Sequence, residues 1–508
     1  MGSRALNFSL LLDWAGDGNF SSDESNYFLT ADGNEEMANP SESVFASSGF
    51  ASEMNVSVLN PGRRFSPSAS PLIASGGLRE YLQNGNFYGK RIRLYITISG
   101  VQSLLFQGAI KEIEENPRTT STVGTVSFRC TTEDSFVINR RLNSLVGDTQ
   151  TFFDTGKDEG ELIAKTLSLA GLTDGVHFVS QAYGGAGAKT IDKGMFTIPW
   201  YWLDGDSPIE DCWRLAASCG GRFFFNPADG KYYYKNAQFL GFDVSATSQE
   251  TISESNTDRI EPIYKDKELY KSIKITIRPR RIGEKTVLWE PDEIIKILPG
   301  QTIILSAKLS TPVYSFTKLD MIAQNTGGFN ITENLSVSAT YYSQSVQFSL
   351  TNNSIYLMFL RKFELIGRPI EGGEQTTFDG VPLNTSFWSG RNGKERKISD
   401  NPYIQTLAQA EAIGTLLAHR QGYFNEEVSV EGYRGTKILR PSWRVTVNNS
   451  SLSFSKDVII TSVKWRLDSA GFTQDFNGIS AATIYHYDNS EYFVVNTHSG
   501  SSGKRYFY

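Results

Sequence analysis

Apolar and polar positions alternate through the first 148 residues. Glu53 to Asn60 (EMNVSVLN), Lys90 to Gly100 (KRIRLYITISG), Ser103 to Glu115 (SLLFQGAIKEIEE) and Gly124 to Thr131 (GTVSFRCT) each put apolar side chains at every second position. Period two gives a strand one buried and one wetted face. NFSLLLDW adds an opening strand that runs into a turn at Gly16–Asp17–Gly18. Strands separated by Gly, Pro and Asn turns predict a β-barrel or sandwich over residues 1–148.

The pattern then changes. Between residues 149 and 248, Leu162, Ile163, Thr166, Leu167 and Ala170 recur at helical spacing, with Gly171 as the stop. Ser207–Pro208–Ile209–Glu210 reads as a capping box with proline at the first helical position. The helix it opens is expected to bury Ile209, Cys212, Trp213, Leu215 and Ala216 and to stop at Gly220–Gly221. FFFNPADGKYYY follows as a hairpin turning at Asp229–Gly230. Half of each aromatic triple, Phe223–Phe225 and Tyr232–Tyr234, must face away from a core, so cross-strand packing and an interface both fit.

Residues 249–372 return to strands: SIKITIRP, KTVLWEP, EIIKILPGQTIILSA, NLSVSATYY, SVQFSLTN and SIYLMFLRKFELIG, a set that predicts a β-sandwich. Residues 373–485 open with a Gly- and charge-rich connector. Ile404, Leu407, Ala410, Ile413, Leu416 and Leu417 then mark an amphipathic helix over 403–420, with Glu411 on the wet side and Gly414 inside it. EEVSVEGYRG, SWRVTVNN and KDVIITSVKWRLD follow as strands. The Ser/Gly-rich tail, 486–508, is expected to order only on docking.

Composition narrows the function classes. At roughly 150 residues per domain, 508 residues suggest three or four domains. The chain is 39% apolar and 20% charged, with 23 Tyr and 32 Phe, which leans towards β-structure. No run approaches the ~18 apolar residues of a membrane span, and no secretory signal opens the chain. A formal charge of −6 gives no basic grip on nucleic acid, and it suits a channel through which DNA slides. The basic run Arg278–Pro279–Arg280–Arg281 reads as an ordinary solvated turn, and it must lie off the lumen if the chain lines such a channel. Cys212 and Cys219, read on one helix, stand roughly 10 Å apart, too far for a disulfide. With Cys130 they are expected to be free buried thiols.

Chemical motifs are sparse. Gly184–Gly185–Ala186–Gly187–Ala188–Lys189–Thr190 imitates a phosphate cradle, but Ala188 stands where glycine must precede the lysine, so it reads as a loop. Asp13 with Asp17–Gly18–Asn19 fails calcium-loop spacing at Ala15 and reads as a turn. His177, His419, His486 and His498 lack metal spacing, and no GxSxG elbow is present. Glu159 and Glu161 are expected at a helix N-terminus, serving its dipole. No catalytic, cofactor-binding or metal-ligating residue is assigned.

The order of these segments resembles the hub or tail-tip proteins of long-tailed bacteriophages, relatives of the baseplate hub in contractile tails. Phe8 to Phe20 resembles the family's opening strand and turn, and VSVLNPGRRFSP (Val56 to Pro67) its strand and loop. Gly89 to Ile98 with LLFQGAIKEI resembles its paired strands, and SPIEDCWRLAASCGGRFFFNPADGKYYYK its helix-plus-hairpin unit. The stretch from Trp289 through ILPGQT to NNSIYLMFLRKFELIGRPI resembles the inserted β domain. NPYIQTLAQAEAIGTLLAHR and RPSWRVTV resemble the closing helix and strand. The family's Pro-Gly-Asp before that strand reads Pro441–Ser442–Trp443 here.

The resemblance implies a mainly β chain with a minor α part: two tail-tube-like β-barrel domains (1–148 and 373–485), an inserted small α/β module (149–248), an inserted β-sandwich-like domain (249–372) and a C-terminal tail (486–508). It implies a homotrimer whose paired barrels imitate a sixfold ring. The expected partners are the hexamer of tail tube or distal tail protein, a central spike, fibre or other tail-tip protein, and the tape measure protein. DNA passes through without specific binding. The expected place is the virion tail tip, after assembly in the host cytoplasm, with no enzymatic activity and no cofactor. A receptor- or carbohydrate-binding tail appendage and a tail-associated cell-wall hydrolase remain as other readings of the residues.

Overall fold

A computed structural model describes residues 6–36, 52–67, 87–116, 124–132, 153–180, 189–202, 207–226, 229–236, 248–265, 269–342, 344–380, 389–399, 401–421 and 425–480. The predicted alternation is realised at the start of the chain in β1 (Leu6–Asp13), β2 (Ser22–Asp23), β3 (Phe28–Glu36), β4 (Glu53–Asn60), β5 (Arg91–Ile98), β6 (Val101–Asn116) and β7 (Gly124–Thr131). These strands pair antiparallel in the order β2-β1-β5-β6-β7-β4-β3. Leu12 on β1 and Val56 on β4, at opposite ends of the run β1-β5-β6-β7-β4, share one core with Ile92, Phe106 and Phe128 of the strands between them. The sheet therefore curls around its own interior.

β8 (Phe153–Asp158) pairs with β9 (Thr197–Trp202), and α1 (Glu159–Leu169) lies between them in the chain. Asp158 caps α1, its Oδ1 accepting from Glu161 N at 2.9 Å. Then come α2 (Pro208–Ala217) and the hairpin β10 (Arg222–Asn226) with β11 (Lys231–Lys235).

Two expectations fail in this module. The capping box at Ser207 does not form: its Oγ is buried and finds no partner, so Pro208 and the acidic first turn start the helix. Trp213 is only half-buried, while Asp211 faces inward because the Tyr201 and Tyr403 hydroxyls both donate to it. Glu159 and Glu161 stand in the first turn of α1 as expected, but Glu159 is not in solvent. It is fully buried and accepts from Met195 N, Phe196 N and the Tyr234 hydroxyl. The aromatic hairpin resolves to cross-strand packing, with Phe223 stacked on Tyr232 at 5.6 Å and Phe224 on Tyr233 at 5.7 Å. Cys130, Cys212 and Cys219 are free and buried, and burial pushes their thiols up.

The next strands are β12 (Glu250–Ser253), β13 (Arg259–Lys265), β14 (Tyr270–Ile277), β15 (Arg280–Ile282), β16 (Thr286–Trp289), β17 (Ile295–Ile297), β18 (Thr302–Lys308), β19 (Val313–Gln324), β20 (Leu335–Tyr341), β21 (Ser345–Asn352) and β22 (Met358–Gly372). β15, β16, β17 and β19 all pair with β22, whereas β18 and β20 flank β21. The two sheets close over Ile297, Phe348, Leu350, Leu360 and Phe363, which makes a sandwich. A turn through Pro299 and Gly300 splits EIIKILPGQTIILSA into β17 and β18.

β23 (Thr376–Gly380) and β24 (Lys394–Ile398) flank β14. α3 (Leu407–Gln421) packs on that sheet and starts four residues later than expected. Thr406 Oγ1 accepts from Gln409 N at 3.2 Å, while Gln405 is held out of the helix by Trp200, donating to its O and accepting from its N. A Cβ on Gly414 would lie 2.6 Å from the Phe378 ring, so only glycine allows this approach. Ile163, Leu215, Tyr234, Ile275 and Ile413 lie in one core, which joins the small module to β14 and α3.

The last strands are β25 (Asn425–Tyr433), β26 (Arg444–Asn449), β27 (Phe454–Asp468) and β28 (Gly471–Ser480). They run in the order β25-β28-β27-β26. β13 adds to β25, and β12 adds parallel to β26, so two strands from the 249–372 span sit in the closing sheet. Ile252, Val430, Val447, Val458 and Phe476 form its core. The loop at 181–188, His486, His498 and the tail 486–508 lie outside the described residues. Among those described, no helix is long and apolar enough to cross a membrane.

Candidate functional site

β27 has two partners in succession along one side. Its first residues, Phe454 to Ile459, pair with β26; Ser462 to Leu467 pair antiparallel with β3, from Ser462 opposite Glu36 to Leu467 opposite Ala31. β28 occupies the other side. This seam joins the two ends of the chain into one 13-stranded sheet.

β3 brings little apolar bulk to the join. Its buried positions are Ala31, Gly33 and Glu35. Trp465 stands opposite Gly33 in register, and a Cβ at Gly33 would meet the Trp465 ring at 2.3 Å. The indole occupies the room the glycine leaves and packs into the core of the first sheet.

Glu35 and Arg440 are both buried and form an ion pair, with Arg440 donating. Arg440 also donates to the carbonyls of Leu104 and Leu105. Those carbonyls sit at a bulge. Tyr95 faces Leu104 and Leu94 faces Phe106, so Leu105 is the extra residue of β6. A bulge disrupts the ladder locally, and the fixed fork of a guanidinium suits several acceptors at once. Burial pushes the Glu35 carboxyl up, and the charge of Arg440 pulls against that.

The segment that delivers Arg440 is itself pinned. The Gln474 side chain accepts from Leu439 N at 2.9 Å and donates to Leu439 O at 3.1 Å. Ser442 donates its backbone N–H to Ile460 O at 2.8 Å and holds φ at 75°.

The basic run is absorbed into contacts nearby. Arg278 donates twice to Ser399 O, Arg280 lies 5.0 Å over the Trp202 ring, and Arg281 approaches Glu371 at 3.5 Å. Asp13 holds the expected turn, accepting from Gly16, Asp17 and Gly18 N. His177 accepts from Thr173 N. Among the described residues, no group of His, Cys, Asp and Glu could hold a metal ion.

Sequence reasoning missed this seam. FLTADGNEE carries no apolar alternation, so β3 was not predicted, and Arg440 drew no notice. The available signal was the small-residue alternation Ala31–Gly33–Glu35 together with an arginine in an otherwise apolar Ile438–Leu439 run.

No family model matches the chain, and no curated protein matches it. Among solved structures, the 43 kDa tail protein of prophage MuSo2 from Shewanella oneidensis is similar at 9% identity, over 94% of this chain and 99% of that one, with a TM-score of 0.48. A tail protein from Neisseria meningitidis is similar at 10% identity, over 94% and 99%, with a TM-score of 0.46. A prophage tail protein from Listeria monocytogenes is similar at 11% identity, over 93% and 94%, with a TM-score of 0.39. At such scores the likeness carries no argument about function.

Proposed function

We propose that this chain is a structural hub of a bacteriophage tail tip and not an enzyme, acting as a homotrimer in which each copy gives two β units to one ring. The observation that carries the proposal is the seam. Three chains can imitate a sixfold ring only if each holds two units at a fixed angle, because a hinge between them would let the ring lose closure. A hydrogen-bonded strand pair, an indole on a glycine and a buried ion pair give such a fixed join. The resemblance of the sequence to tail-tip hubs supports the same reading. The ring would join a sixfold tail tube to a threefold spike or fibre and let DNA pass. The charge of −6, and the binding of Arg278, Arg280 and Arg281 to Ser399, Trp202 and Glu371, support a lumen without phosphate traps.

Mass photometry and electron microscopy of the purified chain test the proposal. The expected result is a trimer with six lobes around an axial opening and no mobility shift of duplex DNA at low salt. A monomer at all concentrations, or tight duplex binding, overturns it.

A further inference from the structure

β24 gathers positive charge in an acidic chain. Residues 391–397, RNGKERK, hold four bases and one acid, a net +3, where the whole chain carries −6. β24 is the edge of the β23-β14-β24 sheet, and the charge spreads onto the central strand: Lys397 stands beside Lys274 in register, and Lys271 donates to Arg391 O at 3.3 Å. Glu395 joins Lys274 at 2.7 Å to Lys397 at 3.7 Å. Arg391, Lys394 and Lys397 are exposed. Lysine on an edge strand guards against stray strand pairing. That accounts for Lys394 and Lys397 but not for Lys271 and Lys274, which lie on β14. A basic face of this kind fits an anionic partner.

The chain itself offers one. The loop between β16 and β17 reads Glu290–Pro291–Asp292–Glu293, a net −3, and its three carboxylates are exposed. None of the three makes an ion pair with a described residue. Other exposed acids are already answered: Arg129 lies 3.2 Å from Glu53 and 3.9 Å from Glu112, Arg281 lies 3.5 Å from Glu371, and Arg434 pairs with Asp258. The strand and the loop carry equal and opposite charge, and within one copy the loop stays unmatched.

In a ring of three, every contact joins two different surfaces of neighbouring copies. A basic strand on one copy and an acidic loop on the next meet that requirement. We infer that β24 of one copy docks against the 290–293 loop of the next. The inference rests on the trimeric reading, and it keeps the basic strand out of the lumen. Duplex DNA is a weaker match. It carries a charge every ~1.7 Å of its axis, and a strand of net +3 with Glu395 among its cations answers few of them. Exposed ion pairs add little affinity one by one; complementary patches mainly fix orientation and exclude wrong neighbours.

The test is charge reversal in the full chain. Lys394→Glu with Lys397→Glu should leave the melting temperature unchanged. At low salt it should make the trimer dissociate on dilution at about tenfold higher protein concentration, read by mass photometry. Asp292→Lys with Glu293→Lys should do the same. All four together should bring dissociation back to within about threefold of wild type, because the two surfaces match again with their signs exchanged. If a reversed pair melts early, the neutral pairs Lys394→Gln with Lys397→Gln and Asp292→Asn with Glu293→Gln serve, with a shift of about threefold. A reversed pair that dissociates at the wild-type concentration, or a quadruple variant no tighter than the reversed pairs, overturns the inference and leaves the hub reading intact. A wild type that never trimerises overturns the hub reading and this inference with it. A mobility shift of duplex DNA by the wild type, lost with Lys394→Glu and Lys397→Glu, would assign the strand to phosphate and also overturn the inference.

Discussion

At the β3–β27 seam two full charges and a glycine are buried; at the tip of the sandwich, where loops 298–301, 325–334 and 353–357 meet, the large apolar side chains of Leu298, Phe329, Ile355 and Tyr356 stand in water. Both arrangements cost folding free energy, and each departs from the sorting that places apolar groups inside. The seam could have been closed by apolar residues. An apolar ribbon, however, tolerates sliding, and a one-residue slip in register turns every side chain to the opposite face. Trp465 fits only opposite Gly33, and Arg440 meets Glu35 and the Leu105 bulge only when β3 lies in this register. The buried polar groups thus make the join specific. Phe329 and Ile355, standing in water, bring little burial to their own fold.

The largest test of that contrast is Arg440→Ala. It strands the Glu35 carboxylate and leaves the Leu104 and Leu105 carbonyls without their donor. Removing one member of a buried pair costs about 3–5 kcal/mol, read as a lower urea midpoint. Ile355→Ala at the tip should stay within about 0.5 kcal/mol of wild type. Equal losses at both sites would erase the distinction. The double replacement Arg440→Met with Glu35→Leu should recover much of the loss, since no charge is then left unpaired.

A smaller effect separates two buried acids. Glu35 faces Arg440, whereas the described donors to Glu159 are backbone N–H groups and the Tyr234 hydroxyl. Burial pushes the Glu159 carboxyl up, helped by the nearby Asp158 charge and opposed by its backbone donors. A raised folded pKa means that the native state holds the proton more tightly. The stability it contributes is therefore full below the ordinary glutamate value of about 4.3 and is lost as pH rises through the raised one. Glu159→Gln should gain on the wild type as pH rises from mildly acidic to neutral. The gain is about 1.4 kcal/mol for each pH unit that separates the raised value from the ordinary one. Urea titrations of both proteins at several pH values check this, and a constant difference would mean that Glu159 stays ionised throughout.

What was legible in the sequence follows the same division. β4 and β7 match their predicted limits because regular alternation needs no tertiary knowledge. β19 was missed although it runs the length of β22, since three register shifts break its period. β3 was missed because its inward residues are Ala, Gly and Glu, a pattern that makes sense only once Trp465 and Arg440 are opposite it. Asp211 and Glu159 carry no mark of burial in the sequence, and of the tyrosines that draw Asp211 inward, Tyr201 on β9 is 10 residues away but Tyr403 is 192. The loops of the tip are readable as turns, but their meeting at one end depends on the pairing of β17 to β22.

The smallest effect concerns the backbone on either side of the comparison. Ser442, two residues after Arg440, holds φ at 75°, a region that costs an L-residue about 1–2 kcal/mol. The tip loops meet the same demand with glycine, at Gly300 (φ 70°) and Gly328 (φ 82°). Ser442→Gly should relieve the strain, less the ~0.4–1 kcal/mol by which glycine loosens the unfolded chain. The net gain is up to about 1 kcal/mol, seen as a slightly higher melting temperature. Gly300→Ala and Gly328→Ala should move the other way by about 1 kcal/mol, and for backbone reasons alone, because a Cβ at either site meets nothing within 4 Å. If Ser442→Gly instead destabilises the protein, the serine side chain contributes more to the seam than its backbone costs, and the segment carrying Arg440 is held by that side chain as well as by Gln474.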